Sequence, residues 1–165
     1  MQIRPERADD IDAIRAITKA AFEGKPYSSQ TEAAIIDALR AAGALTLSLV
    51  AEEEGEVVGH VAFSPVTIEG AFRQWYGLGP VSVRPDRQKD GIGRALIEAG
   101  LAHLRRQKAE GCVVVGNPAY YGRFGFKNEA QLCFPGLPQV YFQCLALGAD
   151  TPHGNVAYHP AFEAK

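Results

Sequence analysis

The stretch that most limits how this chain can fold is Leu78-Gly79-Pro80-Val81-Ser82-Val83-Arg84-Pro85-Asp86-Arg87-Gln88-Lys89-Asp90-Gly91-Ile92-Gly93-Arg94-Ala95-Leu96. Apolar residues alternate to Val83, a glycine-containing loop turns, and from Ile92 the apolar residues Ala95, Leu96 and Ala99 recur at helical spacing. A strand therefore feeds a long helix through a loop that glycines leave open. The first amides of a helix lack partners within it, and the helix dipole is positive at that end. Glycines let a bulky anion approach those amides, so the segment predicts a site for phosphate or pyrophosphate. Gly77, Gly79 and Pro80 are residues that a regular central strand avoids, which predicts a bulge or a break in pairing there.

The remaining elements alternate without a repeat, a low-complexity tract or a linker. Ile3 starts a short strand, and Asp9 or Asp10 then caps a helix with Ile11, Ile14, Ile17 and Ala21 on one face. Ser29 and Glu32 have capping-box spacing and open a second helix, with Ile35, Ile36 and Leu39 inward and Gly43 at its end. Leu45, Leu47 and Leu49 alternate with Thr46 and Ser48 as a half-buried strand, and turns at Glu54-Gly55 and Glu69-Gly70 continue a meander. Gly91 to Gly111 holds one long helix, and Cys112 to Val115 is an apolar run typical of a strand covered on both faces. Pro118 starts a short helix. Residues 131–134, 139–147 and 155–158 read as closing strands. The order is mixed α/β in a single domain, 1–165.

Which anion the loop holds is narrowed by what it lacks. A P-loop ends in Gly-Lys-Ser/Thr, which Gly93-Arg94-Ala95 does not supply. A dinucleotide fingerprint needs a third glycine where Leu96 stands, and it follows the first strand of a βαβ unit rather than a meander. A net charge of −2 draws the molecule toward neither nucleic acid nor an anionic membrane. The three cysteines, Cys112, Cys133 and Cys144, are far apart, and the histidines are scattered, so neither a disulfide framework nor a metal site is expected. Charges at Arg4, Glu6 and Arg7 stand where a signal peptide needs an apolar stretch, and no run has bilayer-spanning length. These features predict a cytoplasmic protein.

Gln88-x-x-Gly91-x-Gly93 resembles the Q/R-x-x-G-x-G/A loop with which the GNAT acetyltransferase superfamily holds the pyrophosphate of CoA. Val81 to Pro85 resembles that family's fourth strand and its exit, and Tyr121-Gly122-Arg123-Phe124-Gly125-Phe126 its Y-x-x-x-G-F segment. The segments Val58–Val66, Tyr120–Phe126 and Tyr158–Phe162 are together similar to the YhbS-like branch. The resemblance implies a mixed, mostly antiparallel sheet, splayed at an acetyl-CoA cleft, with helices on both faces.

It also implies roles. The main chain of Val81, Ser82 and Val83 would pair with the pantetheine arm as a strand does. The Val81 amide would polarise the acetyl carbonyl. Gln88, Lys89, Asp90, Gly91, Ile92, Gly93 and Arg94 would form the pyrophosphate cradle, with Arg87, Lys89 and Arg94 offsetting the carboxylate of Asp90. Tyr121 would protonate the departing thiolate, whereas Tyr120 packs its ring beside Phe124. Asn117 either contacts the CoA arm or is a turn residue before Pro118; it lies closer to Tyr121 than the family's spacing has it. Glu32 and His60 are candidates for base or substrate contact. Against those roles stand a capping box with Ser29 and a place on the outward side of a strand.

The activity implied is direct transfer of acetyl from acetyl-CoA, as cosubstrate and without a metal, to a primary amine in a ternary complex. The alternative is a module that senses acyl-CoA or supports a partner without catalysis. The expected partner is a small-molecule or peptide amine, with no nucleic acid or membrane, and an exposed strand offers a homodimer surface. The acceptor's identity is not written in these motifs.

Overall fold

The computed structural model describes residues 1–165. Two helices follow the first strand, β1 (Gln2–Pro5): α1 (Ile11–Phe22) and α2 (Glu32–Ala41). A meander of β2 (Leu47–Glu53), β3 (Glu56–Ile68) and β4 (Ala71–Val83) leads to α3 (Ile92–Arg106) and β5 (Gly111–Val115). The chain closes with α4 (Pro118–Tyr121), β6 (Leu132–Cys133), β7 (Phe142–Ala146) and β8 (Gly154–Tyr158). The sheet runs β1-β2-β3-β4-β5-β7, and β8 joins the far half of β3 and carries β6. All pairs along that run are antiparallel except β4 with β5.

Strand alternation assigns the faces. Leu49 packs with Val61, Phe63 and Leu96 against α3, while its neighbour Val50 packs with Ile14 of α1 and Ile36 of α2. Likewise Val114 joins the α3 side, and Val113 packs on the other with Trp75, Phe142 and Val156. Helices therefore cover both faces, and no helix is long and apolar enough to cross a membrane.

Several local expectations are corrected. Ser48 is buried along with Leu47 and Leu49, because α1 and α2 cover the face that a half-buried strand would leave to water. The N-cap of α2 is Thr31 rather than Ser29, and Glu32 instead accepts from the Ser28 hydroxyl at 2.7 Å. Asp10 stands at the N-cap of α1, but its side chain makes no capping bond to that helix. It accepts from the Arg7 amide at 2.7 Å and pairs with Arg4, which Glu52 also holds. The long helix stops at Arg106, with His103, Arg105 and Arg106 in its last turn. Only Leu132 and Cys133 of the segment 131–134 pair as strand, and Gln139–Tyr141 is a 3-10 turn before β7.

Candidate active site

The expected irregularity of β4 is a bulge followed by a fork. Val61 pairs with Val81 and Phe63 with Leu78, so Ala62 alone faces both Gly79 and Pro80. On its other side β4 pairs with β5 only through Trp75, Tyr76 and Gly77, opposite Gly111, Cys112 and Val113. Beyond that point β4 stays with β3 and β5 stays with β7, and the two central strands part.

The fork exposes main-chain groups. The Arg84 amide donates to the Val58 carbonyl at 2.9 Å, and Ser82 stands opposite His60. Hydrogen-bonded and non-bonded pairs alternate in an antiparallel ladder, so Ser82 bonds into β3 while the amides of Val81 and Val83 point to the open side. The Gln88 side-chain amide donates to the Val83 carbonyl at 3.1 Å, fastening the loop to the strand end. Ser82 is turned the other way: its buried hydroxyl donates to Thr18 Oγ1 at 3.3 Å.

The loop ends in an amide cradle. Gly91 caps α3 at φ +83°, a left-handed conformation that favours glycine. The Ala95 amide makes the first bond of the helix, to the Gly91 carbonyl at 3.0 Å, and the amides from Lys89 to Arg94 have no main-chain acceptor. Asp90 does not face these amides uncompensated, since its carboxylate accepts from Arg87 Nε at 3.1 Å. Arg87 is itself held by Glu53, and Arg94 is engaged by Glu98 at 2.8 Å. Lys89 makes no ion pair.

Tyr121 lies at the fork on the α3 face. Its ring packs edge-on to Tyr120 at 5.0 Å and to Phe126 at 6.1 Å. It lies so close to Gly116 that a Cβ there would stand 2.5 Å from Cε2. Burial pushes the Tyr121 phenol up to about 12, away from the thiol range rather than toward it. The same burial acts on sulfur, and Cys112, in the strand beside it, is driven well above an ordinary thiol.

The other expected residues are placed as follows. Asn117 is the N-cap of α4, its Oδ1 accepting from the Ala119 amide at 2.9 Å, which is the turn role. His60 is not on an outward face: it is 0% exposed, with Nε2 2.7 Å from Ser48 Oγ. Ser48 donates to the Glu6 carboxylate, which Arg40 also holds at 2.9 Å. Burial lowers the His60 pKa to about 4. Neither Glu32 nor His60 is left free at the fork. Tyr120 does more than pack: a Cβ on Gly93 would lie 3.6 Å from its hydroxyl, so that hydroxyl stands over the first turn of α3. Its ring carries the Arg123 guanidinium at 4.8 Å. The Tyr-Tyr pair was the visible signal, but only the turn after β5 shows which ring meets the loop.

The arrangement can hold a diphosphate at the start of α3, an extended chain with amide groups along Val81 and Val83, and a reactive centre beside Tyr121. Residues 2–128 match the acetyltransferase (GNAT) domain family. The chain is 37% identical over 170 residues to the uncharacterized N-acetyltransferase YhbS of Escherichia coli K12, covering 98% of each. A crystal structure of a Brucella melitensis GNAT family acetyltransferase in complex with acetyl-CoA is 58% identical, with TM-score 0.89 over 98% of this chain and 97% of that one. The structure of Escherichia coli YhbS in complex with CoA superposes with TM-score 0.88 at 37% identity, over 98% of this chain and 91% of that one.

Proposed function

The chain belongs to the GNAT acetyltransferases, and from that premise we propose that it binds acetyl-CoA in the fork between β4 and β5 and transfers the acetyl group directly to a primary amine in a ternary complex. The observation that carries this reading is the fork itself: free amides of Val81 and Val83 on one side, the amide cradle of residues 89–94 at its mouth, and Tyr121 beside it. The Brucella relative with acetyl-CoA supports the choice of acyl donor.

In this reading the amides of Lys89 to Arg94 hold the pyrophosphate, with Arg87 neutralising Asp90. The Val83 amide pairs with the pantetheine arm, and the Val81 amide faces the acetyl carbonyl, where it stabilises the oxyanion formed as the amine attacks. Collapse of that adduct expels the CoA thiolate beside Tyr121, whose phenol gives it a proton. A phenol pushed up to about 12 is a weak acid for a thiolate in water, whose thiol titrates near ~8.5. Desolvation in the same apolar fork raises an expelled thiolate's pKa as well, which narrows the gap between the two. Ser82 serves through its place in the ladder, and His60 and Glu32 hold structure rather than the amine. Three unpaired cysteines fit a cytoplasmic location.

Calorimetric titration with acetyl-CoA, CoA and NAD, with amine-dependent thiol release as the activity, tests this reading. Both CoA species should saturate, NAD should not bind, and Gly91→Glu should abolish binding. Tyr121→Phe should lower turnover by about 100-fold while acetyl-CoA affinity stays within about twofold. Tight acetyl-CoA binding without thiol release to any of a broad amine panel would instead favour the sensing module.

A further inference from the structure

Four buried side-chain polar atoms have no hydrogen-bond partner, and three of them, His60 Nδ1, Ser64 Oγ and Tyr158 Oη, lie on the sheet face opposite α3. His60 and Ser64 are four residues apart on β3 and so share a face. Tyr158, opposite Val66, ends β8 on that same face. Buried polar groups are almost always satisfied, so Ser64 and Tyr158, whose side chains both stand at Gly77, mark a place where something polar belongs.

Tyr158 is the member aimed at the fork. Its ring is wedged between Phe134 at 5.3 Å and Phe162 at 4.9 Å. From β8 it reaches across β3 to β4, where a Cβ on Gly77 would stand 2.6 Å from its Cε2. Gly77 is the last residue of β4 that pairs with β5, and the residue facing it on β3 is Ser64. The phenol therefore ends at the root of the fork. The segment Tyr158-His159-Pro160-Ala161-Phe162 holds it there. His159 Nδ1 accepts from the Ala161 amide at 3.0 Å, and the 3-10 turn that this starts returns Phe162 to the ring. Tyr121 packs with the α3 cluster and Tyr158 with the opposite one, so the phenols flank the fork from the two faces. Burial raises the Tyr158 phenol far above its ordinary range, with the charges of Cys112 and Tyr121 near enough to add to the effect. It is thus a neutral donor, already stripped of water, without an acceptor.

We infer that the Tyr158 hydroxyl is a second phenol of the acyl site, donating a hydrogen bond to the acyl carbonyl oxygen of bound acyl-CoA from the face opposite Tyr121. The inference rests on the reading that acetyl-CoA occupies the fork. No bond is made or broken at Tyr158; the hydroxyl gains the acceptor that the free protein denies it.

Tyr158→Phe keeps the ring and its packing and removes only the hydroxyl. Titrated calorimetrically beside the wild type, it should bind acetyl-CoA about tenfold more weakly while CoA affinity stays within about twofold. Loss of an unpartnered buried hydroxyl should also raise the Tm of the ligand-free protein by about 3 °C. Gly77→Ala, which pushes the ring aside with its hydroxyl intact, should show the same selective loss. An acetyl-CoA to CoA affinity ratio in Tyr158→Phe equal to that of the wild type would overturn the inference and leave the CoA site standing. A wild type that binds neither ligand overturns the site and this inference together.

Discussion

His60 lies inside a chain of hydrogen bonds that starts at Arg40 and runs through Glu6 and Ser48. The Glu6 carboxylate is held charged by Arg40 and Ser48, so Ser48 donates to it and must accept from His60 Nε2–H. That fixes the tautomer and leaves Nδ1 as a bare lone pair in the interior. The nearby Glu6 carboxylate favours the charged ring and Arg40 opposes it, but burial dominates and brings the pKa to about 4. The unfolded chain, titrating near ~6.5, binds the proton more readily than the folded one between those values. Stability should therefore be full above pH 6.5 and fall as pH drops toward 4. Urea unfolding should show a loss of about 2 kcal/mol between pH 7 and pH 5. His60→Gln should flatten that slope, and an unchanged slope would assign it to another group. The sequence shows a histidine in an apolar strand. It does not show that α1 and α2 close over that strand, and this closure decides whether the ring is a base or a buried prop.

At the scale of elements, the pairing of β4 with α3 is what a reader of residues 78–96 would expect, because each part carries its own local signal. Gly79 and Pro80 disturb the ladder, Gly91 turns in the left-handed region, and the apolar period of α3 starts at Ile92. How α3 sits on the sheet is a matter of contact. Gly100 presses against the Phe63 ring, where a Cβ would overlap the ring carbons. Both residues are buried, so neither can yield outward. Gly100→Ala should destabilise the fold by about 2 kcal/mol, despite the better helix propensity of alanine, which favours it by about 1 kcal/mol. Chemical denaturation measures the sum. A stabilised variant would mean that α3 can lift from β3 without cost.

For the whole molecule, the proposed site draws on separate parts of the chain that meet at the fork. β4 supplies free amides, the start of α3 the cradle, α4 one phenol and β8, from the far end of the chain, the other. A ligand spanning the fork and the cradle should tie these parts together. Acetyl-CoA at about 100 times its Kd should add about 2.7 kcal/mol to stability, raising Tm by about 5–10 °C. Hydrogen exchange should slow along residues 81–94, and NAD should produce neither effect. Protection confined to residues 89–94 would place only the diphosphate and leave the fork unused.

The sequence by itself determined the features with short-range physical causes. These are the strand, glycine loop and helix from Leu78 to Leu96, the irregularity at Gly79-Pro80, the apolar strand at Cys112–Val115 and the short helix that starts at Pro118. Each follows from backbone freedom or periodicity within a few residues, and the motifs built on them were enough to name the family. The tertiary structure alone decided which groups lose water and which find partners. It paired Arg87 with Glu53, buried His60 and carried Tyr158 across β3 to Gly77. Desolvation and partnership depend on neighbours tens of residues away along the chain, and no local pattern of residue types encodes them.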